Sequence, residues 1–200
     1  MNICVYCASS SAVDALYFDE ARRLGREIAL RGHRVIYGAG NIGLMGALAA
    51  AARDAGGEVE GVIPAFLKEK GLADGALTRL HVTPDMRSRK QKMEDLADAF
   101  IAFPGGFGTL EEVFEIITLK QLGLLDKACA LLNINGYFDA LIAQIERAIR
   151  ERFIKEAYRG LYHVSPTVQD ALDYIGAYQP GAIGKDWGIA DADTGAEVGG

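Results

Sequence analysis

The chain has 200 residues, of which half are hydrophobic and 24% are charged, and its formal net charge is −6. This length and composition are typical of one globular domain with a substantial core, and the negative charge argues against a nucleic-acid backbone as the main partner. No stretch is long and apolar enough to span a bilayer, and residues 1–7 lack the basic region of a signal peptide. We therefore expect a cytoplasmic protein that binds neither nucleic acids nor membranes.

The chain has three cysteines, Cys4, Cys7 and Cys129. An odd number without a secretion signal favours a reducing compartment. Cys4 and Cys7 have the spacing of a redox or metal pair, but a strand would place them on opposite faces, and no second pair follows. We therefore expect core cysteines. No histidine lies in a motif with metal-ligand spacing, so we also expect no metal site.

Strand-like apolar runs alternate with helical patterns along the chain. The first part predicts a strand, a helix, a strand, an Ala-rich helix and two strands at residues 2–7, 13–31, 33–37, 44–55, 58–63 and 78–82. A charged helix follows Pro84, and a strand, a helix, a strand and a helix are predicted at 98–103, 109–123, 128–133 and 137–150, with shorter helical segments at 153–160 and 167–176. This alternation predicts an α/β domain with a mainly parallel sheet.

The last part of the chain differs in composition. Residues 179–200 are dominated by Gly, Ala and Asp, which predicts a mobile tail after a domain that covers residues 1–178. Trp187 and Ile189 could instead dock on the domain or on a partner subunit.

The strongest functional signal lies between the strand at 98–103 and the following helix. The connecting loop is Pro104-Gly105-Gly106-Phe107-Gly108-Thr109-Leu110-Glu111-Glu112. A glycine turn between a strand and a helix aims free backbone N–H groups at an anion, and the acid at its end suggests chemistry on a phosphorylated small molecule. Alternatively, Thr109 and Glu112 form a capping box, but a capping box does not explain three glycines and a proline.

Parallel α/β sheets bind ligands outside the carboxyl ends of their strands, and we expect three further loops there. The first, residues 7–11, is rich in hydroxyl groups. Ser10 could bind a sugar or phosphate, and Ser11 could instead cap the next helix.

The second loop, residues 38–46, contains a G-x-G-x-x-G pattern between a strand and a helix. This pattern invites a dinucleotide interpretation. However, it follows the second strand, and the next strand ends at Pro64 where a ribose-binding acid would be needed. We expect Gly40 and Gly43 to form part of a site, but not a site for NAD(P).

The third loop, residues 84–93, places cations at the start of a helix, where the helix dipole disfavours them. Arg89 shares a helix face with Met93, so its guanidinium is expected to point into a cleft. Lys90 could pair with Glu94 at the i,i+4 spacing.

These motifs together resemble the LOG (Lonely Guy) family. The loop 104–112 is similar to the family signature P-G-G-x-G-T-x-x-E, and Met86-Arg87-Ser88-Arg89-Lys90 resembles its M-H-x-R-K motif. Shorter similar segments are Gly43–Gly46, Cys7–Ser10, Val62–Pro64 and Leu131–Tyr137, so the resemblance extends from about residue 2 to 176.

The resemblance implies a Rossmann-like three-layer homodimer that hydrolyses the N-glycosidic bond of nucleoside 5′-monophosphates without a cofactor. In this family, cytokinin riboside 5′-monophosphates give free cytokinin and ribose 5-phosphate, and AMP is often also cleaved. The family was long labelled lysine decarboxylase, but we find no lysine context typical of pyridoxal phosphate in this chain.

By position, the resemblance implies that Arg89 and Glu112 are the catalytic pair. The implied nucleotide-binding residues are Lys90, Gly106, Phe107, Gly108, Thr109, Leu110, Glu111 and Thr118. Further candidates are Ser10, Gly40, Gly43 and Met86. The chain departs from the family pattern at Arg87, Ala39, Leu119 and Leu125, which concern base specificity and subunit contacts rather than the catalytic pair.

Two other classes of protein remain as alternatives. The first is a carrier that binds a nucleotide or cofactor without catalysis, since molybdenum-cofactor carrier proteins have similar glycine loops. A carrier has no need of the pair formed by Arg89 and Glu112. The second is a dinucleotide-dependent oxidoreductase, which the misplaced acid disfavours. We therefore favour hydrolysis, with Glu112 stabilising positive charge on the ribose and residues 106–109 holding the phosphate.

Overall fold

The computed structural model describes residues 1–181. Within these residues, seven strands form one sheet: β1 (Asn2–Tyr6), β2 (Arg34–Tyr37), β3 (Val59–Pro64), β4 (Arg79–Thr83), β5 (Ala99–Ala102), β6 (Ala128–Leu132) and β7 (His163–Ser165). The strands lie in the order β4-β3-β2-β1-β5-β6-β7, and each neighbouring pair is parallel. The prediction of an α/β fold with a parallel sheet is confirmed.

Helices cover both faces of this sheet. They are α1 (Ala15–Leu30), α2 (Gly43–Asp54), α3 (Ala65–Glu69), α4 (Met86–Leu96), α5 (Phe107–Gln121), α6 (Asp139–Arg150) and α7 (Val168–Ala177). Buried side chains of α1, α2 and α7 form a core with one face of the sheet. Side chains of α4, α5 and α6 pack on the other face. The result is the three-layer arrangement expected for a parallel sheet whose strands are apolar on both sides.

The first strand shows why the sheet is buried on both faces. Ile3 and Val5 belong to the core beneath α1 and α2, whereas Cys4 and Tyr6 belong to the core beneath α4 and α5. Cys7 lies with the first group, so Cys4 and Cys7 occupy opposite faces, as predicted. All three cysteines are buried free thiols.

The topology fixes the position of the ligand crevice. The chain proceeds outward from β1 through β2 and β3 to β4, and then returns to place β5 on the other side of β1. The strand order therefore reverses between β1 and β5. The carboxyl ends of strands at such a switch point form the crevice in which α/β proteins bind ligands.

Most of the predicted elements agree with the structure to within two residues at each end. The segment predicted at 153–160 is a 3₁₀-helix at Glu156–Leu161, and α3 and β7 were not predicted. Both are short, and the three residues of β7 are too few to show a periodic pattern. Residues 182–200 of the predicted tail, with Trp187 and Ile189, lie outside the described residues.

Three alternative interpretations of single residues are wrong. Helix α5 begins at Phe107 with Gly106 as its N-cap, so Thr109 lies within the first turn and forms no capping box. Helix α1 is capped by Asp14, whose carboxylate accepts the Leu16 N–H, and not by Ser11. Lys90 does not pair with Glu94, because its ammonium group reaches across to α5.

Within residues 1–181, no helix has the length and apolar character needed to cross a membrane.

Candidate active site

A cavity of about 360 Å³ lies at the carboxyl ends of β1 and β5. All four predicted loops contribute to it, which confirms that they meet at one edge of the sheet. We call it the site cavity. Its lining comprises Val5, Tyr6, Cys7, Ala8, Ser9, Ser10, Gly38, Met45, Met86, Arg89, Met93, Gly106, Phe107, Gly108, Thr109, Glu111 and Glu112.

One wall of the site cavity is the start of α5. Gly106 is the N-cap, and no side chain bonds to the cap. The N–H of Leu110 donates to the Gly106 carbonyl at 3.1 Å, so the preceding N–H groups have no helical carbonyl to bind. Residues 106–109 all line the cavity. Free N–H groups and the positive end of the helix dipole make this wall suited to a phosphate.

Another part of the lining is a buried ion pair between α4 and α5. Nη1 of Arg89 donates to Oε1 of Glu112 at 2.7 Å, and each residue is only 8% exposed. Nε of Arg89 donates to the Val62 carbonyl at 3.2 Å, near the end of β3. The guanidinium is therefore fixed at two points, and it presents the Glu112 carboxylate to the cavity.

Burial changes the protonation of Glu112. Loss of solvent raises the pKa of this carboxyl group above its usual value, and the charge and hydrogen bond of Arg89 oppose the rise without cancelling it. A carboxylate with a raised pKa is a better proton acceptor than an exposed one. An arginine guanidinium is a fixed positive charge in proteins. The pair therefore combines a basic carboxylate with a fixed positive charge.

Gly38, at the end of β2, leaves room for this pair. A Cβ atom added to Gly38 would overlap Nη2 of Arg89 and would lie 3.4 Å from Cζ. The glycine therefore allows the guanidinium to lie against the backbone. The sequence alone does not indicate this role for Gly38, although it is the first glycine of the G-x-G-x-x-G pattern.

The rest of this second loop makes contacts within the protein. The N–H groups of Leu44 and Met45, at the start of α2, donate to the Ala8 carbonyl at 3.1 and 3.3 Å. The helix terminus that would bind a pyrophosphate is therefore occupied by the first loop. Gly43, with φ of +62°, packs directly on the backbone of this loop. Gly40 forms an isolated antiparallel β-bridge with Ala73. Neither Gly40 nor Gly43 lines the site cavity.

A polar network around Asp74 makes hydrogen bonds to the second loop. The Asp74 carboxylate accepts hydrogen bonds from Tyr37 Oη at 3.1 Å and from Arg53 Nη1 at 2.7 Å. The backbone N–H of Asp74 donates to the Ala39 carbonyl at 2.8 Å. Ala39 has φ of +58°, a conformation that costs a non-glycine residue about 1–2 kcal/mol. The network thus holds a strained residue at a position where the family pattern has glycine.

Lys90 ties the two helices of the site together. Its ammonium group pairs with Glu111 and lies 3.1 Å from Glu115, both on α5. Partial burial lowers the pKa of Lys90, but the hydrogen bonds to the two carboxylates outweigh it and the net pKa is raised. Lys90 does not itself line the site cavity, whereas Glu111 does.

The remaining predicted residues divide into two groups. Ser10, Met86 and Phe107 line the site cavity, and Phe107 is 92% exposed at its mouth. Leu110 is partly buried against the core beneath α5 and does not line the cavity. Thr118 lies eleven residues after Phe107, about 16 Å further along α5 at 1.5 Å per residue, and it is exposed. Its binding role stays a prediction.

Besides Gly38, a tyrosine near the site could not be recognised from the sequence. The hydroxyl of Tyr137, after β6, donates to the Gly105 carbonyl at 2.7 Å. Tyr137 belongs to a segment that resembles the family, Leu131–Tyr137, but nothing in that pattern indicated a contact with the loop 104–112. Only the neighbouring positions of β5 and β6 in the sheet bring them together.

Comparisons with known proteins agree with this arrangement. A family model described as "Possible lysine decarboxylase" matches residues 45–175. The cytokinin riboside 5′-monophosphate phosphoribohydrolase LOG4 of Arabidopsis thaliana is 42% identical over 179 residues, which are 90% of this chain and 83% of the relative. The phosphoribohydrolase LOG of Oryza sativa subsp. japonica is 40% identical over 189 residues, which are 92% of this chain and 78% of the relative.

Solved structures share the fold at lower identity. The molybdenum cofactor carrier protein of Chlamydomonas reinhardtii superposes with a TM-score of 0.67 at 22% identity, covering 88% of this chain and 95% of the carrier. The molybdenum cofactor binding protein of Rippkaea orientalis gives 0.68 at 23% identity, covering 88% and 94%. These likenesses establish the fold, whereas the identity of 42% and 40% to the plant proteins establishes the family. The chain belongs to the LOG family.

Proposed function

We propose that this protein hydrolyses the N-glycosidic bond of nucleoside 5′-monophosphates, with cytokinin riboside 5′-monophosphates and AMP as substrates. Water adds its hydroxyl group to C1′ of the ribose, and its proton goes to the departing base, so the products are the free base and ribose 5-phosphate. The observation that carries the proposal is that the buried pair of Arg89 and Glu112 and the open start of α5 line one cavity. The names of the plant relatives support the same reaction.

The 5′-phosphate belongs at the start of α5. The backbone N–H groups of residues 106–109 line the cavity, and Thr109 is buried beside them. A side chain at Gly105 would overlap the Thr109 hydroxyl, so the glycine lets this hydroxyl lie against the loop. Placing the phosphate here directs the ribose toward Glu112, which lies three residues after Thr109 on the same helix.

Glu112 acts on the sugar. Cleavage of a glycosidic bond passes through a state with positive charge on the ribose, which a nearby carboxylate stabilises. The pKa of Glu112 is raised by burial, which makes the carboxylate a stronger acceptor for a proton of the attacking water. Glu112 therefore has two tasks, to stabilise the charge at C1′ and to orient the water.

Arg89 supplies electrostatic help. Its guanidinium remains protonated and cannot act as a proton donor at neutral pH. It binds the Glu112 carboxylate at 2.7 Å. Its positive charge stabilises the negative charge that develops on the base as the glycosidic bond breaks. A pyridoxal-type decarboxylation would instead need a lysine in the lining, and none of the lining residues among positions 1–181 is a lysine.

The assembly we propose is a homodimer with α5 at its interface. Val113 and Ile116 bury one side of α5 in the core, but Phe114 on another side is 39% exposed. An apolar helix that is only partly covered favours a partner surface. In such a dimer, the exposed Thr118 could contribute to the site cavity of the second subunit. The molar mass in solution, measured for wild type and Phe114→Glu, tests this: the variant is expected to be monomeric.

The buried, free state of all three thiols also fits a reducing compartment. We therefore propose a cytoplasmic location, which fractionation of the source cells would test.

The decisive experiment compares wild type with Glu112→Gln on AMP, isopentenyladenosine 5′-monophosphate and adenosine, with release of free base and ribose 5-phosphate as the readout. Wild type is expected to cleave the two monophosphates and not adenosine. Glu112→Gln should be slower by about 100-fold or more, the usual contribution of such a group. Glu151→Gln, which alters an exposed ion pair on α6, is the matched control and should behave like wild type.

Two outcomes would contradict the proposal. Turnover of Glu112→Gln within a few-fold of wild type, with an unchanged melting temperature, would exclude the role of Glu112. Tight binding of AMP by wild type without any release of base would favour a nucleotide carrier of the same fold.

A further inference from the structure

The segment Asn133-x-x-Gly136-Tyr137 has no part in the chemistry proposed above, yet its tyrosine contacts the glycine loop of the site. Oη of Tyr137 donates to the Gly105 carbonyl oxygen at 2.7 Å. Gly105 itself does not line the site cavity, but the next residue, Gly106, does. The hydrogen bond therefore acts on the loop from the side away from the ligand.

Peptide geometry transmits this contact to the cavity. The Gly105 carbonyl and the Gly106 N–H belong to one peptide group, which is planar and trans, so the two bonds point in opposite directions. When the carbonyl is held on the side of Tyr137, the N–H of Gly106 must point to the other side. Gly106 lines the site cavity and Gly105 does not, so the cavity is the side on which this N–H is expected.

The loop needs such a restraint because both residues of this peptide group are glycine. Glycine populates backbone conformations that other residues avoid, so the peptide plane between Gly105 and Gly106 can rotate at little steric cost. A larger residue at position 105 would limit this rotation, but it does not fit, because its Cβ would overlap the Thr109 side chain. A hydrogen bond from outside the loop selects one orientation without adding bulk.

Tyr137 is well placed to provide that bond because its own position is fixed. The Asn133 side chain accepts the Phe138 N–H at 2.7 Å and donates to Asp139 at 2.8 Å. These bonds close the tight turn before α6. The ring of Tyr137 packs edge-on against Phe138 at 5.0 Å and against Tyr17 at 5.9 Å between centroids.

We propose that Tyr137 is a positioning residue for the phosphate site: its hydroxyl fixes the Gly105–Gly106 peptide so that the Gly106 N–H donates to the 5′-phosphate. The identity of the anion rests on the proposed function, whereas the orientation of the peptide rests on the hydrogen bond alone. Loss of the hydroxyl should weaken binding of every ligand that carries this phosphate and leave binding of the unphosphorylated nucleoside unchanged.

The test is Tyr137→Phe, which removes the hydroxyl and keeps the ring. Tyr17→Phe is the matched control, because it makes the same change on the neighbouring ring. Calorimetric titration with ribose 5-phosphate should give a Kd about 5- to 10-fold higher for Tyr137→Phe than for wild type, as expected for one hydrogen bond. The KM for AMP should rise by a similar factor, while kcat changes by less than about 3-fold because Glu112 is untouched.

The amide resonance of Gly106 gives a second readout that does not depend on turnover. It should shift in the spectrum of Tyr137→Phe and not in that of Tyr17→Phe. A Kd for ribose 5-phosphate equal to that of wild type, or an equal effect of the two variants, would overturn the inference. So would a fall in kcat with unchanged binding.

The binding measurement separates this inference from the proposed function. If wild type binds ribose 5-phosphate but cleaves no nucleotide, the proposed function fails and the ratio of the two Kd values still decides the role of Tyr137. If wild type does not bind ribose 5-phosphate, there is no phosphate site for Tyr137 to position, and the inference fails.

Discussion

The contact between Gly38 and the guanidinium of Arg89 allows a sharp test of the site. We consider Gly38→Ala, a change of one methyl group. The new Cβ would overlap Nη2 of Arg89, and the guanidinium would have to move by about 1 Å to reach a normal contact distance. Met45, whose sulfur would be 3.2 Å away, is flexible and can move aside more easily.

The expected loss follows from the geometry of the ion pair. Arg89 and Glu112 are 2.7 Å apart, and a shift of about 1 Å takes the pair beyond hydrogen-bond distance. Misplacement by this amount typically costs about 100-fold in rate, so kcat/KM for AMP should fall by that factor. Crowding in a packed interior costs about 2 kcal/mol, which should lower the melting temperature by about 4–8 °C for a chain of this size.

A double-mutant cycle identifies the cause. In an Arg89→Ala background the overlapping atom is gone, so Gly38→Ala should have little further effect on the melting temperature. Gly176→Ala in α7, where a Cβ would meet open space, is the control and should leave activity unchanged. An equal loss of stability from Gly38→Ala in both backgrounds would show that the methyl group collides with something other than Arg89, and the reasoning would be refuted.

Three further predictions follow from burial and charge. Burial raises the pKa of Glu112 above its ordinary value of 4.5. The midpoint of the acid limb in a plot of kcat/KM against pH should therefore lie above pH 4.5. A midpoint at or below that value would contradict the role of Glu112. The hydrogen bonds from Ala76, Arg53 and Tyr37 outweigh burial and lower the pKa of Asp74 below 3.8. Its contribution to stability is therefore present above pH 3.8 and is lost as the pH falls further. In urea titrations, Asp74→Asn should cost about 2 kcal/mol at pH 7 and clearly less at pH 3, and an equal cost at both would argue against the network. Finally, burial raises the pKa of Cys4 and Cys7 strongly and that of Cys129 to about 12, so a thiol reagent should label the native protein slowly and all three sites once it is unfolded. Rapid labelling of the native protein would contradict this.

The fold could be predicted in large part because its strands are buried on both faces. Runs such as Ala128–Leu132 are apolar at every position, and a parallel sheet between two helical layers is the arrangement that accommodates them. The order of the strands could not be obtained in the same way. The strand order depends on the side of β1 on which β5 lies. No local sequence pattern indicates that side.

The site could be predicted where one segment carries both the geometry and the chemistry. The loop 104–112 combines a glycine turn, a helix start and Glu112, and Arg89 was recognised because it lies on the core-facing side of α4. By contrast, the partners of Lys90 could not be predicted, because Glu111 and Glu115 are 21 and 25 residues away and reach it only through the packing of α4 against α5. Local i,i+4 spacing favoured Glu94 instead.

The glycines of the second loop invite a dinucleotide interpretation, and the structure gives them different neighbours. A glycine before a helix indicates that something approaches the backbone closely, and in a dinucleotide fold that neighbour is the ligand. Here the neighbours are protein atoms. Gly38 makes room for Arg89, and Gly105 makes room for Thr109. In both loops, a glycine therefore allows a side chain of the candidate site to lie against the backbone. For Gly38 the neighbour depends on the return of the chain from β4 to β5, because α4, which carries Arg89, lies in that connection and packs on β2 and β3.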